Sequence, residues 1–411
     1  MAGTLDLQAE FTKYIKGELF DPYPFYAHLR ERGKPFWSTE LGMWLVFGYD
    51  QIEEGLGDPR LKNDRILGYE KSLTPENRVK FKALNEHLSH WLGFEDPPVH
   101  TKSRGYLKEY ISGRLAIRMK PAIERIISEL LLKAESQSEI DIIRDFAYPL
   151  PLAIICDLLG IESGREEEFK NLADAIGVYP GNVGPILNDV APAAHEALIK
   201  MEAFFDELVK MRLADPKDDL VTKLGQLHKD GLLSYQEMVS LLTFVFLAGF
   251  GTTLNLIGNG MMLLLTHPDQ KKLLIEDMDL IGNAVEEFLR FESPIQIVAR
   301  LAREDFEWHG EKLKEGDYVG FIVGAANRDE TIFPSADSFD ITREPNRHIA
   351  FGRAAHFCLG APLARVEAQV AISEFFKRFP SATMTNPIPD WLPIISFRHL
   401  GTLKVRLNNE V

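Results

Sequence analysis

The chain has 411 residues, 45% of them apolar, which is ample material for a sizeable core. Its 46 basic and 61 acidic side chains give a net charge of −15, which argues against a general affinity for nucleic acid or an anionic membrane. Two cysteines, Cys156 and Cys358, are too few for a disulfide scaffold or a four-cysteine zinc site.

The N-terminal MAGTLDLQAEFTKYIKGELFD carries acids and lacks an apolar h-region. It is therefore no signal peptide, and a cytoplasmic, reducing location is expected. No Pro/Gly/Ser-rich linker, low-complexity stretch or repeat divides the chain, so a single domain over residues 1–411 is expected. Asp21-Pro22-Tyr23-Pro24 leads into FYAHLRERG, a short amphipathic helix ended by Gly33. WLVFGY reads as a strand and Gln51–Gly57 as a short helix. Asp96-Pro97-Pro98 starts another helix, with prolines where a first turn tolerates them. Residues 115–135 and 194–213 have amphipathic helical spacing. Cys156, in the apolar run PLAIICDLLG, reads as a buried reduced thiol.

From Met238 to Pro268 there is no Asp, Glu, Lys or Arg, and by length this stretch would span a bilayer. Against that, it carries Thr252, Thr253, Asn255, Asn259 and four glycines, and it follows a capping box, Ser234-x-x-Glu237. The expectation is a helix from about Tyr235 to Leu265 that is apolar all round because protein surrounds it. His267-Pro268-Asp269 stops it, and a helix from about Leu280 to Phe291 ends before Ser293-Pro294. Residues 295–324 read as short strands, NRDETIFPSADSFDITREPNRH as coil, and PLARVEAQVAISEFFKRF as a helix. The fold class is mainly α with a small β portion.

Chemistry concentrates in FGRAAHFCLGAPLAR, residues 351–365. Gly352 and Gly360 flank one cysteine, and a helix starts near Pro362. A helix N-terminus offers unpaired N–H donors and a favourable dipole, which stabilise a thiolate. The spacing alone suits a metal ligand, a nucleophile or a buried loop cysteine. The segment closely resembles FGxGxHxCxG, the haem-binding signature of the cytochrome P450 family, with Ala354 where glycine is usual. That methyl is compatible with the turn if its φ is negative. The resemblance implies that Cys358 is the thiolate on haem iron, pushing electron density to favour O–O cleavage.

Further motifs extend the resemblance over nearly the whole chain. Glu287-x-x-Arg290 is by itself an ordinary i,i+3 pair. In the family such a pair locks the proximal loop with a third polar residue, here Arg343. His100 and Arg104, after Asp96-Pro97-Pro98, match the helix whose His and Arg hold haem propionates. Arg300 and His356 fall where the family places further propionate donors, and cations converging on two carboxylates orient a dianionic macrocycle. Phe351 and Gly360 belong to the same cofactor-binding loop. The central helix holds Ala248-Gly249-Phe250-Gly251-Thr252-Thr253, which fits AGx(D/E)TT poorly at one place. A small residue and a glycine, Ala248 and Gly249, let that helix pass close to the ring. Thr252 matches the threonine whose hydroxyl orders oxygen and water, but Gly251 replaces the acid that relays protons. A dinucleotide-binding reading of Gly249-x-Gly251 fails because Leu254 stands at the third glycine position.

The resemblance implies a single triangular domain with a long central helix over haem b (iron protoporphyrin IX). It implies a monooxygenase that inserts one oxygen atom of O2 into a lipophilic small molecule, such as a polyketide, peptide or terpenoid. Substrate contacts are expected in the loop between about Lys62 and Phe94, at Phe244, Leu247 and Phe250, at Gln296, Ile297 and Val298, and around Ile395. Gln296 is the one candidate polar contact. Arg347 and Arg353, with Arg118 and Lys120, are candidates for a basic docking patch. Expected partners are a ferredoxin or flavodoxin with its NAD(P)H reductase, for a monomer with no reductase domain, membrane anchor or nucleic-acid partner. Gly251 keeps two alternatives in view: a peroxygenase, or a non-oxidative dehydratase or isomerase. A non-catalytic haem-binding sensor is the third.

Overall fold

The computed structural model describes residues 12–13, 21–161, 164–182, 184–386 and 388–407. Most of the segment read as lacking a signal peptide lies outside these residues. The described chain is mainly α-helical with a small β portion, and it divides into two compact units. One comprises residues 1–61, 112–151 and 251–411, the other residues 62–111 and 152–250.

In the first unit, strands Phe36–Ser38, Met43–Val46, Tyr318–Ile322, Ile297–Ala302 and Leu61–Lys62 form one sheet in that spatial order. Met43–Val46 runs parallel to Tyr318–Ile322, and Ile297–Ala302 pairs antiparallel to it, with Arg300 opposite Val319. Beside the sheet lies a core of Val46, Ile52, Leu313, Val319, Phe321 and Phe333, all nearly inaccessible. Helix Ala361–Arg378 packs on Gly113–Glu135 and on Ile281–Phe291. In the second unit, the long helix Leu187–Ala214 packs between Glu166–Val178 and Leu220–Lys229. Phe169 seats its ring against Phe204 (4.3 Å) and Phe246 (5.6 Å). Helices at Ile66–Ser72, Pro75–Lys80, Lys82–Ser89 and Pro149–Leu159 escape a periodicity reading, because they are short or apolar all round; Glu166–Val178, EEEFKNLADAIGV, is neither and was missed.

The central helix spans Tyr235–Thr266. Its first turn is closed by a reciprocal box: the Glu237 carboxylate accepts from the Ser234 amide (2.7 Å), and Ser234 Oγ accepts from the Glu237 amide (3.1 Å). It is long and apolar enough to cross a membrane, yet 67% of its most apolar window is buried within the protein. Glycines set how closely its neighbours approach. A Cβ at Gly260 would meet Phe288 at 2.7 Å and Ile372 at 3.0 Å. A Cβ at Gly249 would meet Ile155 at 2.6 Å.

Gly260→Ala is therefore expected to destabilise. The helix-propensity gain of about 1 kcal/mol is set against overpacking of roughly 1–3 kcal/mol. Denaturant unfolding should give a net loss near 1 kcal/mol, and a net gain would show that Phe288 and Ile372 yield freely.

Candidate active site

Charge buried without water has to be paired. Arg290 and Glu287 are both fully buried, one turn apart on helix Ile281–Phe291, with Arg290 Nε and Nη2 donating to the carboxylate at 2.7 and 2.8 Å. Arg290 also donates to the carbonyls of Asn327, Ala336 and Ser338 (3.0, 2.7 and 3.1 Å). Arg343 reaches the same carboxylate (3.2 Å) and donates to the Pro334, Ser335 and Ser338 carbonyls. Asn346 adds a donor to Glu287 Oε2 at 3.0 Å, a partner the sequence reading missed because coil asparagines are common. The pair thus fastens the irregular chain from Asn327 to Asn346 that leads into the cysteine loop.

That loop turns through Gly352 (φ +71°) and a short 3-10 turn, Ala354–His356. The Cys358 amide donates to the Phe351 carbonyl at 2.8 Å, closing the loop just before helix Ala361–Arg378. Cys358 is only half-buried, and so are Phe351, Leu359, Gly360 and Leu363 around it, whereas Cys156 is buried. An apolar loop that keeps its thiol accessible is unusual, since such surface costs free energy when left in water. His356 is half-buried in the same loop, and Arg300 is buried on its strand, donating to the Ala299 carbonyl at 3.0 Å.

Ala354 corrects the sequence reading. Its φ is +53°, not negative, so an L-residue occupies the left-handed region where the family has glycine. Arg353 is likewise no unattached docking cation, because it pairs with Glu53 and donates to the Tyr49 hydroxyl (3.1 Å).

On the central helix, the accessible residues among 238–264 are Phe244, Leu247, Ala248, Gly249, Gly251 and Thr252. Gly249 apart, they follow i, i+3, i+4, i+7, i+8, which is one face of an α-helix. Every other residue in that stretch is buried. Gly249 serves the close approach of Ile155, while among the described residues no atom lies within 4 Å of where a Cβ on Gly251 would sit. Phe244 touches Trp91 (rings 5.8 Å apart) and Leu247 lies near Gly177. Two substrate candidates are corrected. Phe250 is 7% exposed and packs on Phe246 in the core. Gln296 is fully buried, its amide donating to the Ser293 carbonyl (2.8 Å) and its oxygen wedged against Gly324. Ile297, Val298 and Ile395 remain half-buried. In the second unit, His100 and Arg104 stand one turn apart on helix Val99–Tyr110. Burial, then the charge of Arg104, lowers the His100 pKa and favours a neutral ring.

A cluster behind the cysteine loop also escaped the sequence reading. Arg365 grips Glu286 with both nitrogens (2.6 and 2.8 Å), and His348 Nε2 bonds the same carboxylate at 3.0 Å. Burial works to raise the Glu286 pKa, but the bonds from Arg365 and His348 outweigh it and bring it down to about 2.

Two outcomes follow from this geometry. Ala354→Gly should stabilise the holoenzyme by about 1 kcal/mol, since glycine carries no steric penalty at positive φ. A melting temperature unchanged or lowered would mean the turn is not strained. Glu286 has a depressed folded value, so its contribution is present above the ordinary value of 4.5 and is lost as pH falls towards 2. Glu286→Gln should cost roughly 2 kcal/mol at pH 7 and flatten the loss of stability on acidification between those limits. Equal slopes for variant and parent would contradict this.

A family model described as Cytochrome P450 matches residues 70–393. The chain is 35% identical over 401 residues to 6-deoxyerythronolide B hydroxylase of Saccharopolyspora erythraea, covering 94% of this chain and 96% of that protein. It is 34% identical over 374 residues to the polyketide biosynthesis cytochrome P450 PksS of Bacillus subtilis, covering 89% of each. Among solved structures, a P450 in complex with an acyl carrier protein bearing hexadec-9Z-enoic acid superposes with a TM-score of 0.86 at 32% identity, covering 96% of this chain and 100% of that one. The mainly helical fold, the half-open cysteine loop and these matches along most of the chain have one common explanation: it belongs to the cytochrome P450 family.

Proposed function

We propose that the chain is a haem-thiolate monooxygenase that inserts one atom of O2 into a lipophilic small molecule. The observation that carries this is that the first unit keeps two segments partly open. Cys358 is half-open in an apolar loop, and the central helix leaves Gly251 and Thr252 accessible on an otherwise buried stretch. A flat, largely apolar macrocycle with an acceptor site for a thiolate fits such surfaces, which favours haem b. When bound, haem supplies the activation of dioxygen and thereby the oxidising power of the reaction.

The chain's own residues hold, orient and protonate. Cys358 supplies the thiolate. Arg300 and His356, with His100 and Arg104, are proposed to hold the propionates, as charge-assisted donors do best. The Thr252 hydroxyl is proposed to hold water and pass protons at Oγ1. Phe244, Leu247 and Ala248 on the open helix face, with Ile297, Val298 and Ile395, favour a lipophilic substrate. Names of relatives put hydroxylation of 6-deoxyerythronolide B and polyketide biosynthesis in scope, so a secondary-metabolite intermediate, free or carrier-bound, is our reading. Electrons would come from a ferredoxin or flavodoxin with its NAD(P)H reductase, in the cytoplasm, to a monomeric enzyme.

Gly251 favours one competing reading. With no acid at this position, a peroxygenase or a non-oxidative dehydratase or isomerase needs less proton delivery than reductive oxygen activation does. For the monooxygenase, ordered water or a polar substrate group fills the relay. Asn255 lies one turn further along the helix, buried, and its Oδ1 has no protein partner, which favours water.

The reduced carbon monoxide difference spectrum tests the ligand: the thiolate-type band is expected in the parent and should vanish in Cys358→Ser. Its absence from active parent protein would sink the assignment. NAD(P)H with carriers should support turnover better than peroxide. Gly251→Asp should raise the product formed per NAD(P)H consumed, and no change or a loss would count against a missing relay.

A further inference from the structure

Behind the cysteine loop, Glu286 of helix Ile281–Phe291, Arg365 of helix Ala361–Arg378 and His348 of the coil converge. His348 Nδ1 accepts from the Ala350 amide at 3.3 Å, so Nε2 carries the proton that faces Glu286. The guanidinium of Arg365 lies 4.5 Å from the Phe351 ring centroid, and the His348 ring lies 6.1 Å from the same ring. Phe351 is the residue whose carbonyl receives the Cys358 amide. Arg365 and His348, joined through Glu286 of a third segment, therefore flank one aromatic ring, and that ring's backbone is bonded to the cysteine.

A surface ion pair made only for stability would not need this convergence. Arg365 lies near the start of helix Ala361–Arg378, which begins three residues after Cys358. Its bond to Glu286 helps hold Arg365 in its charged form.

We propose that Glu286, Arg365 and His348 are positioning residues for Cys358: they clamp Phe351 and its carbonyl under the loop, and the balance of the Arg365 and Glu286 charges sets how readily the metal centre bound by that sulfur accepts an electron. This rests on the reading of Cys358 as the iron ligand. Reduction adds one negative charge at the centre, so a nearby cation favours the reduced form and a nearby anion opposes it. With both present the effects largely cancel. Removing one should shift the equilibrium by roughly threefold to tenfold, where tenfold is 59 mV for a one-electron couple.

Potentiometric titration of the holoenzyme tests this. Glu286→Gln should raise the midpoint potential and Arg365→Gln should lower it. Arg365→Lys keeps the charge and should stay near the parent value, although it loses the two-pronged grip. A structural role alone would move both glutamine variants in the same direction or neither, and either result overturns the proposal. Should Arg365→Gln fail to hold cofactor, a raised potential in Glu286→Gln beside an unmoved one in Arg365→Lys still decides, since a lowered or unmoved potential in Glu286→Gln refutes the proposal. A parent protein lacking the thiolate-type carbon monoxide band would overturn the ligand reading itself and this inference with it, whereas a normal band with unmoved potentials overturns the inference alone.

Discussion

The site depends on a charge pair that water cannot reach. Glu287 and Arg290 are wholly inaccessible, and each is costly to bury alone. Their shared bonds leave spare donors and acceptors, and these are spent on irregular chain rather than on regular structure. The carbonyls of Asn327, Ala336 and Ser338 take Arg290, and the side chains of Arg343 and Asn346 take Glu287. A long coil has too few backbone bonds of its own to hold a shape. Here it borrows them from one buried pair, and the cysteine loop begins where that coil ends. Burial of Arg290 lowers its pKa even as Glu287 works to keep it charged, so the loss of either partner would strand the other.

A second constraint acts on the central helix. Beyond Glu237 in its first turn the central helix is charge-free because protein covers it, yet one face of it stays open. The two demands are reconciled by confining the opening to five positions of one stripe, Phe244, Leu247, Ala248, Gly251 and Thr252. Its glycines divide the work. Gly249 and Gly260 admit neighbouring side chains, whereas Gly251 admits none among the described residues and so leaves room for something other than protein. The same residue type thus marks packing at Gly249, Gly258 and Gly260 and an opening at Gly251.

This division explains what could be read from the sequence. The central helix, the helix carrying Glu287 and Arg290 and the helix after Cys358 were legible because capping, period and punctuation act locally. Arg343 was legible through the family pattern. Asn346, His348 and Arg365 were not, because their roles depend on contacts 59–79 residues away in the chain. The sign of φ at Ala354 also depends on the closed loop, and composition carries no trace of it. Phe250 and Gln296 were expected at the substrate from the family's usual layout. One step round a helix, or one wedge against Gly324, turns such a side chain from cavity to core.

The two departures from the family pattern then have different physical weight. Ala354 adds a methyl where the backbone is strained, so it bears on how firmly the loop holds, and the bonds around Phe351 and Glu287 can absorb a cost of about 1 kcal/mol. Gly251 leaves open space where the family carries a carboxyl, with no described atom within 4 Å of where its Cβ would sit. A proton route must be rebuilt from groups that are not this residue, and Thr252 with the unpartnered oxygen of Asn255 lie within one turn to orient them. The departure at Ala354 therefore bears on stability, and the one at Gly251 on the mechanism proposed above.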